Sequence, residues 1–240
     1  MLRHCAVGTI SGLALALAAN PAAAQSLTVQ PVVINMQPGQ LAATISISGQ
    51  GDDPTSYQVR AFAWSQQDGA EKLDPTGDVL LSPPLGTIPA NGTQVVRIVI
   101  RKPPKAQESV YRLLLDQIPP PSAPGTVRIA LRLSIPIFVE PATRVAPHLE
   151  WRVERDSDGV WLVATNNGTR HERIHDIVLS MGTTTFKPQG DSSPYLLAGA
   201  TRRIRMTGDG ALPGSGATLH LTAISDGGKI DVTVPSTLQL

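Results

Sequence analysis

Residues 126–139 read Thr-Val-Arg-Ile-Ala-Leu-Arg-Leu-Ser-Ile-Pro-Ile-Phe-Val. Val127, Ile129, Leu131, Leu133, Ile135, Ile137 and Val139 occupy every second position, with Arg128, Ala130, Arg132 and Ser134 between them. A period of two over this length is the pattern of a long β-strand with one branched-aliphatic face. Pro136 has no N–H for a ladder, which places the strand at a sheet edge or ends it there. A long apolar edge is a template for pairing with another chain, and proteins ordinarily blunt such edges. Keeping one predicts that strand pairing with a partner is the work of this chain.

The flanking sequence is also strand-like. Leu41, Ala43, Ile45 and Ile47 alternate with Ala42, Thr44, Ser46 and Ser48, and Val96, Ile98 and Ile100 alternate with Arg97 and Arg101. Residues 57–64 and 110–118 are β-prone. Beyond Glu140-Pro141-Ala142, Leu149, Trp151 and Val153 alternate with Glu150, Arg152 and Glu154, and further short segments follow at 160–164, 177–181, 201–206, 218–223 and 230–234. Turn signals separate them: Pro38-Gly39, Asp68-Gly69, Asn91-Gly92, Asp158-Gly159, Asn167-Gly168 and Asp226-Gly227. Short strands at this spacing predict an all-β chain of two immunoglobulin-like β-sandwiches. The proline break divides it into 25–141 and 142–240, with a stiff linker and a cleft between the two units.

Bulk composition narrows the function. The 240-residue chain has a net charge of +1, which offers no electrostatic footprint for nucleic acid. Residues 1–24 read as a secretory signal: Arg3 and His4, an apolar run over 7–19, and small residues before Gln25. The apolar run is too short for a membrane span and nothing later reaches its length, so no membrane insertion is expected. Cys5, the only cysteine, leaves with the signal. Stability in a disulfide-permissive compartment then rests on packed cores.

Several motifs carry other readings. His171-Glu172-Arg173-Ile174-His175 is a literal H-E-x-x-H, which on a helix would present two zinc ligands and a base. It directly follows an Asn-Asn-Gly-Thr turn, and in extended chain the histidines stand roughly 13 Å apart. No glutamate follows Glu172, so a usual third ligand is missing. No Gly-x-Ser-x-Gly elbow anchors a serine hydrolase. Asn91-Gly92-Thr93 and Asn167-Gly168-Thr169 match glycosylation sequons but fit hairpin turns better. Trp64, Trp151 and Trp161 are expected in core or inter-sheet packing, with a sugar platform as the alternative. Arg202-Arg203-Ile204-Arg205 is expected to face solvent on a strand.

The order of several segments resembles the periplasmic pilus chaperones of the chaperone–usher pathway, the PapD-like family. They are Tyr57-Gln58-Val59-Arg60, Trp64, Leu81-Ser82-Pro83-Pro84, Gln94-Val95-Val96-Arg97, residues 111–119 and Ile137-Phe138-Val139-Glu140-Pro141. In the second half, Asn167-Gly168 with His171 and Tyr195-Leu196-Leu197-Ala198-Gly199 add to the resemblance. It implies a boomerang of two immunoglobulin-like domains in the periplasm. It also implies pilus or fimbrial subunits that each lack their last strand, and an outer-membrane usher that receives them. Self-association that caps exposed donor strands is within the family's repertoire. No catalytic chemistry, cofactor or metal is expected.

Val127, Ile129, Leu131 and Leu133 are then the donor face, with Ile118 beside it. An inserted strand satisfies the subunit's open backbone groups while alternate side chains fill its groove. Each buried aliphatic side chain contributes about 1.5–3 kcal/mol. Many relatives anchor the subunit's C-terminal carboxylate with two basic residues. Those places hold Val33 and Pro136 here, a pattern resembling the divergent archaic or spore-coat-like branch. Arg112 is the candidate anchor, expected near Leu133 on the cleft side, where its fork suits a carboxylate. Arg97 and Arg101 are further candidates. At the hinge, relatives use an acid–arginine–acid bridge; Glu108 and Asp226 match the acids, but Glu140 stands at the arginine position. Three carboxylates would repel unless Arg144 or another base intervenes. The alternatives are a secreted carbohydrate-binding sandwich and a zinc hydrolase built on His171, Glu172 and His175.

Overall fold

The computed structural model describes residues 26–67, 70–121, 125, 129–143, 145–190, 193–210, 213–214 and 216–238. The signal segment, Val127, the Asp68-Gly69 turn and Arg144 lie outside these residues. The first domain holds β1 (Ser26–Gln30), β2 (Ile34–Met36), β3 (Ala42–Gln50), β4 (Thr55–Gln67) and β5 (Ala70–Pro75). It continues with β6 (Val79–Ser82), β7 (Leu85–Ile88), β8 (Thr93–Ile100), β9 (Ser109–Ile118) and β10 (Arg132–Val139). The second holds β11 (Leu149–Asp156), β12 (Gly159–Asn166), β13 (Glu172–Met181), β14 (Thr184–Pro188), β15 (Tyr195–Leu196), β16 (Thr201–Gly208), β17 (Thr218–Ser225) and β18 (Gly228–Leu238). No helix occurs among the described residues, in keeping with two immunoglobulin-like β-sandwich domains.

The period-two residues of the first domain face one another across two sheets. One has the order β1-β3-β8-β6 and the other β2-β10-β9-β4-β5, with β7 added on β4. Ile45 and Ile47 from β3, Ile98 from β8, Leu113 and Leu115 from β9, and Ile137 from β10 meet in its core, all almost fully buried. In the second domain Val153, Leu162, Leu179, Phe186, Leu219 and Leu221 do the same. There β14 pairs with both β16 and β13, so the sheet order β14-β16-β12-β11-β18-β17-β13 closes on itself. Closure removes the open edges that a sandwich would otherwise present.

The expected Asn-Gly hairpins are different turns. Asn91 adopts φ 51, but its turn joins β7 to β8, which belong to different sheets. Asn167-Gly168 joins β12 to β13, which do not pair. Glycine is needed at 168 because a Cβ there would sit 2.3 Å from the Ala146 carbonyl oxygen.

A third apolar cluster joins the domains. Trp64 and Phe138 from the first pack with Tyr195, Leu196 and Leu197 from the second. Trp64 meets Tyr195 edge-on at 5.9 Å, and Phe138 lies 5.2 Å from Tyr195 between ring centroids. The Gln66 side chain acts as a short piece of strand across this boundary: its Nε2 donates to the Tyr195 carbonyl at 2.8 Å and its Oε1 accepts from the Leu197 N–H at 3.0 Å. Both ends of a buried amide are thereby satisfied.

Candidate functional site

The long predicted strand is divided. β9 covers one flank of β10 along its whole length, with Leu133 opposite Leu115 and Pro136 opposite Arg112. On the other flank β2 pairs in parallel with Ile137, Phe138 and Val139 only. Residues 132–136 have no ladder partner on that side among the described residues. Pro136 stands immediately before the point where the second ladder begins. Its missing donor there leaves no ladder position unmet.

The apolar face divides at the same place. Ile135, Ile137 and Val139 are buried in the first domain's own core, and Leu133 is half-buried against it. Upstream, Leu131 is 38% exposed and Ile129 90% exposed, while Ile118 at the end of β9 is 41% exposed. Among the described residues the ladder begins at Arg132, and residues 129–131 stand outside it although the periodicity runs through them. Pro119, Pro120 and Pro121 follow Ile118, and three prolines cannot extend β9 as a pairing partner. Gln117 makes the last contacts: its N–H donates to the Leu131 carbonyl at 2.9 Å, and its Oε1 accepts from the Leu131 N–H at 3.4 Å.

The far edge of the same sheet is guarded. β5 carries Glu71, Lys72 and Asp74, with Lys72 paired to Asp74 at 3.1 Å. Charge on an edge strand discourages pairing with another chain. The approach to β10 carries Ile129 and Leu131 instead.

Arg112 lies opposite Pro136 rather than beside Leu133, because the register is offset by three residues from the expected one. It is buried near the boundary between the domains, with its guanidinium 3.6 Å above the Trp64 ring and 5.9 Å from the Tyr195 ring of the second domain. Glu71 is its carboxylate partner at 3.5 Å. Burial lowers the Arg112 pKa, and Glu71 and then Tyr195 oppose that shift; an arginine so placed stays charged. Arg97 and Arg101 are not brought to it. Arg97 is exposed on the opposite sheet and lines a groove with Pro31, Val33 and Thr44. Arg101 is also exposed and reaches the Gly77 carbonyl at 3.4 Å.

The expected clash of hinge carboxylates does not arise. Glu108 is buried against His171, whose Nδ1 lies 2.9 and 2.8 Å from the two carboxylate oxygens and whose N–H donates to Oε1 at 3.2 Å. The His171 ring stacks on Phe138 at 3.5 Å between centroids. Glu140 finds Arg170 at 3.3 Å. Asp226 contributes its backbone N–H to the Arg173 carbonyl.

The H-E-x-x-H segment is not helical: His171 precedes β13 and Glu172 to His175 lie in it, so the three side chains part. His171 goes to Glu108. Glu172 is buried and accepts from the Gly227 N–H at 2.9 Å, and His175 pairs with Asp176 at 2.9 Å on the surface. Among the described residues no three metal-ligating side chains converge. Trp161 is not core: its ring lies 4.1 Å from the Arg203 guanidinium, and its Nε1 donates to Asp156 at 3.1 Å. Arg202, expected outside with its neighbours, turns inward to the carbonyls of Ser193 and Tyr195. Gln66, Glu71 and Asp116 are contacts that strand periodicity could not have marked, because their partners lie on other strands.

The family model described as the pili and flagellar-assembly chaperone PapD N-terminal domain matches residues 26–144. No curated protein matches by sequence. Among solved structures, a chain of the CsuC–CsuE chaperone–tip adhesion subunit pre-assembly complex from the archaic chaperone–usher Csu pili of Acinetobacter baumannii aligns at TM-score 0.64. Identity is 19%, covering 90% of this chain and 100% of that one. The YadV chaperone aligns at 0.62 with 17% identity over 87% and 98% of the two chains. A chain of the Salmonella enterica SafA pilin–SafB chaperone complex aligns at 0.59 with 18% identity over 88% and 96%.

Proposed function

The chain belongs to the pili and flagellar-assembly chaperone family, and from that premise we propose that it captures pilus subunits by lending them residues 127–133. The carrying observation is the half-covered strand. Residues 132–136 are held by β9 on one flank and, among the described residues, lack a ladder partner on the other, and the apolar stripe emerges from the domain core through Leu133 to exposed Leu131 and Ile129. A subunit without its last strand would complete its sheet on that flank and seat Ile129, Leu131 and Leu133 in its groove. Exposed Ile118 at the end of β9 is the neighbouring apolar residue, and Val127 continues the alternation in sequence. Arg112, stacked on Trp64 near the domain boundary, would hold the subunit's terminal carboxylate by exchanging Glu71 for it.

Residues 1–24 direct the chain to the periplasm and are removed there, leaving domains 25–141 and 142–240. Release of the subunit to an outer-membrane usher is expected to need no nucleotide, since the sequence carries no phosphate-binding loop motif. Neither a zinc hydrolase nor a sugar-binding module gains support: the three H-E-x-x-H side chains part, and Trp161 is engaged by an arginine. Co-expression with secreted subunits from neighbouring genes, followed by pull-down, tests the reading. Wild type should recover a subunit and Ile129→Asp should not. Equal recovery by both would refute the donor assignment.

A further inference from the structure

We propose that Asp116 is a positioning residue that fixes where the donor segment leaves the chaperone; this rests on the strand-donation reading. Asp116 lies on β9 opposite Arg132, the first residue of β10. One carboxylate oxygen accepts from the Arg132 Nε and the other from the Arg60 Nη2 at 2.7 Å. The carboxylate is mostly shielded, whereas Arg132 is open to solvent and Arg60 partly so. One acid thus ties three neighbouring strands: Arg60 on β4, which stands opposite Leu114, Asp116 on β9, and Arg132 on β10 directly across from Asp116.

The next residue, Gln117, holds Leu131 through its backbone and its side chain. Beyond Leu131, Ile129 stands in solvent. The two contacts therefore mark the boundary between chain held by the chaperone and chain offered to a partner. A one-residue slip would exchange the apolar side chains of a strand for those between them. On 129–133 it would present Ala130 and Arg132 to the subunit groove in place of Ile129 and Leu131. Asp116 opposes that slip because its ion pair is made only in the observed register. Although burial opposes it, hydrogen bonding from Arg132 and Arg60 pulls the Asp116 carboxyl below the usual aspartate range, so the clasp is charged at neutral pH.

The test uses the full chain with Asp116→Asn, Arg132→Gln and the double variant. In the free protein, amide hydrogen exchange at residues 131–133 should quicken about tenfold in each single variant. The double variant should be no faster than Asp116→Asn, since both substitutions remove the Asp116–Arg132 contact and Asp116→Asn alone already frees Arg60. In the presence of a subunit that wild type captures, each single variant should associate about tenfold more slowly while its thermal midpoint changes little. Arg132→Gln leaves an exposed site and keeps the test valid if Asp116→Asn folds poorly. Unchanged exchange, or additive effects in the double variant, would overturn the clasp. Unchanged capture with faster exchange would overturn its positioning role. If wild type captures no subunit, the donor reading fails, and the exchange measurement still decides the clasp by itself.

Discussion

The Glu108 carboxylate and the His171 imidazole form a buried pair between the two domains, 2.8 Å apart at their nearest. His171 is also stacked on Phe138 of β10, two residues past Pro136. The pair therefore connects the hinge to the inner end of the candidate donor strand. Arg170 and Glu140 form a second, more exposed link beside it.

Breaking this pair should loosen the angle before it unfolds either core. Removing one partner of a buried ionic or hydrogen-bonded pair costs about 3–5 kcal/mol, since the other is left unsatisfied. Glu108→Ala is expected to split one calorimetric transition into two and to widen the particle in small-angle scattering. A single transition at the wild-type midpoint would contradict this.

The stripe of alternating residues should respond in two opposite ways. Ile129→Asp falls on an exposed side chain and should change stability by less than about 0.5 kcal/mol while abolishing subunit capture. Ile137→Ala opens a hole in the first domain's core and should cost about 2–5 kcal/mol. Chemical denaturation monitored by circular dichroism separates the two. Loss of the fold in Ile129→Asp would return the outer residues to the core.

Arg112 should be required for tight capture. Truncating one partner of a buried, hydrogen-bonded charge pair weakens binding by about 2–5 kcal/mol. Arg112→Ala should lose that much subunit affinity by titration calorimetry, and Arg112→Lys should recover only part, lacking the fork. Glu71 is the resident competitor at 3.5 Å, so Glu71→Gln should tighten binding severalfold. Weaker binding in Glu71→Gln would argue that the pair serves the fold instead.

Acid should reveal Asp156. A hydrogen bond from Arg203, with others from Trp161 and the Asp158 N–H, outweighs desolvation and lowers its pKa from 3.8 to about 2. A depressed carboxyl adds stability that is complete above its unfolded value and is lost as pH falls through the folded one. Asp156→Asn should therefore lower the melting temperature at pH 5–7, with the difference closing between about pH 4 and pH 2. A difference that persists unchanged at pH 2 would assign the loss to geometry rather than charge.

Much of the architecture was legible in the chain. The alternation in 41–47 and 96–100 marked β3 and β8, and the same rule marked the core face of β10. Short or charged elements were not legible: β2 has three residues and β15 two, and β5 carries Glu71, Lys72 and Asp74. Too few side chains alternate there for a period to register. The resemblance pointed to Glu108 as a hinge acid, but not to His171 as its partner, which is 63 residues away.

By itself the amino-acid order determined an all-β chain, two packed units and one uninterrupted aliphatic stripe, because side chains in extended backbone alternate whatever surrounds them. Only the tertiary structure decided who covers that stripe. β2 reaches the strand no earlier than Ile137, the prolines after Ile118 end its other neighbour, and Asp116 holds Arg132 at the point of exit. Periodicity says which residues share a face; how far each neighbouring strand extends along it depends on register and topology, which join residues distant in sequence.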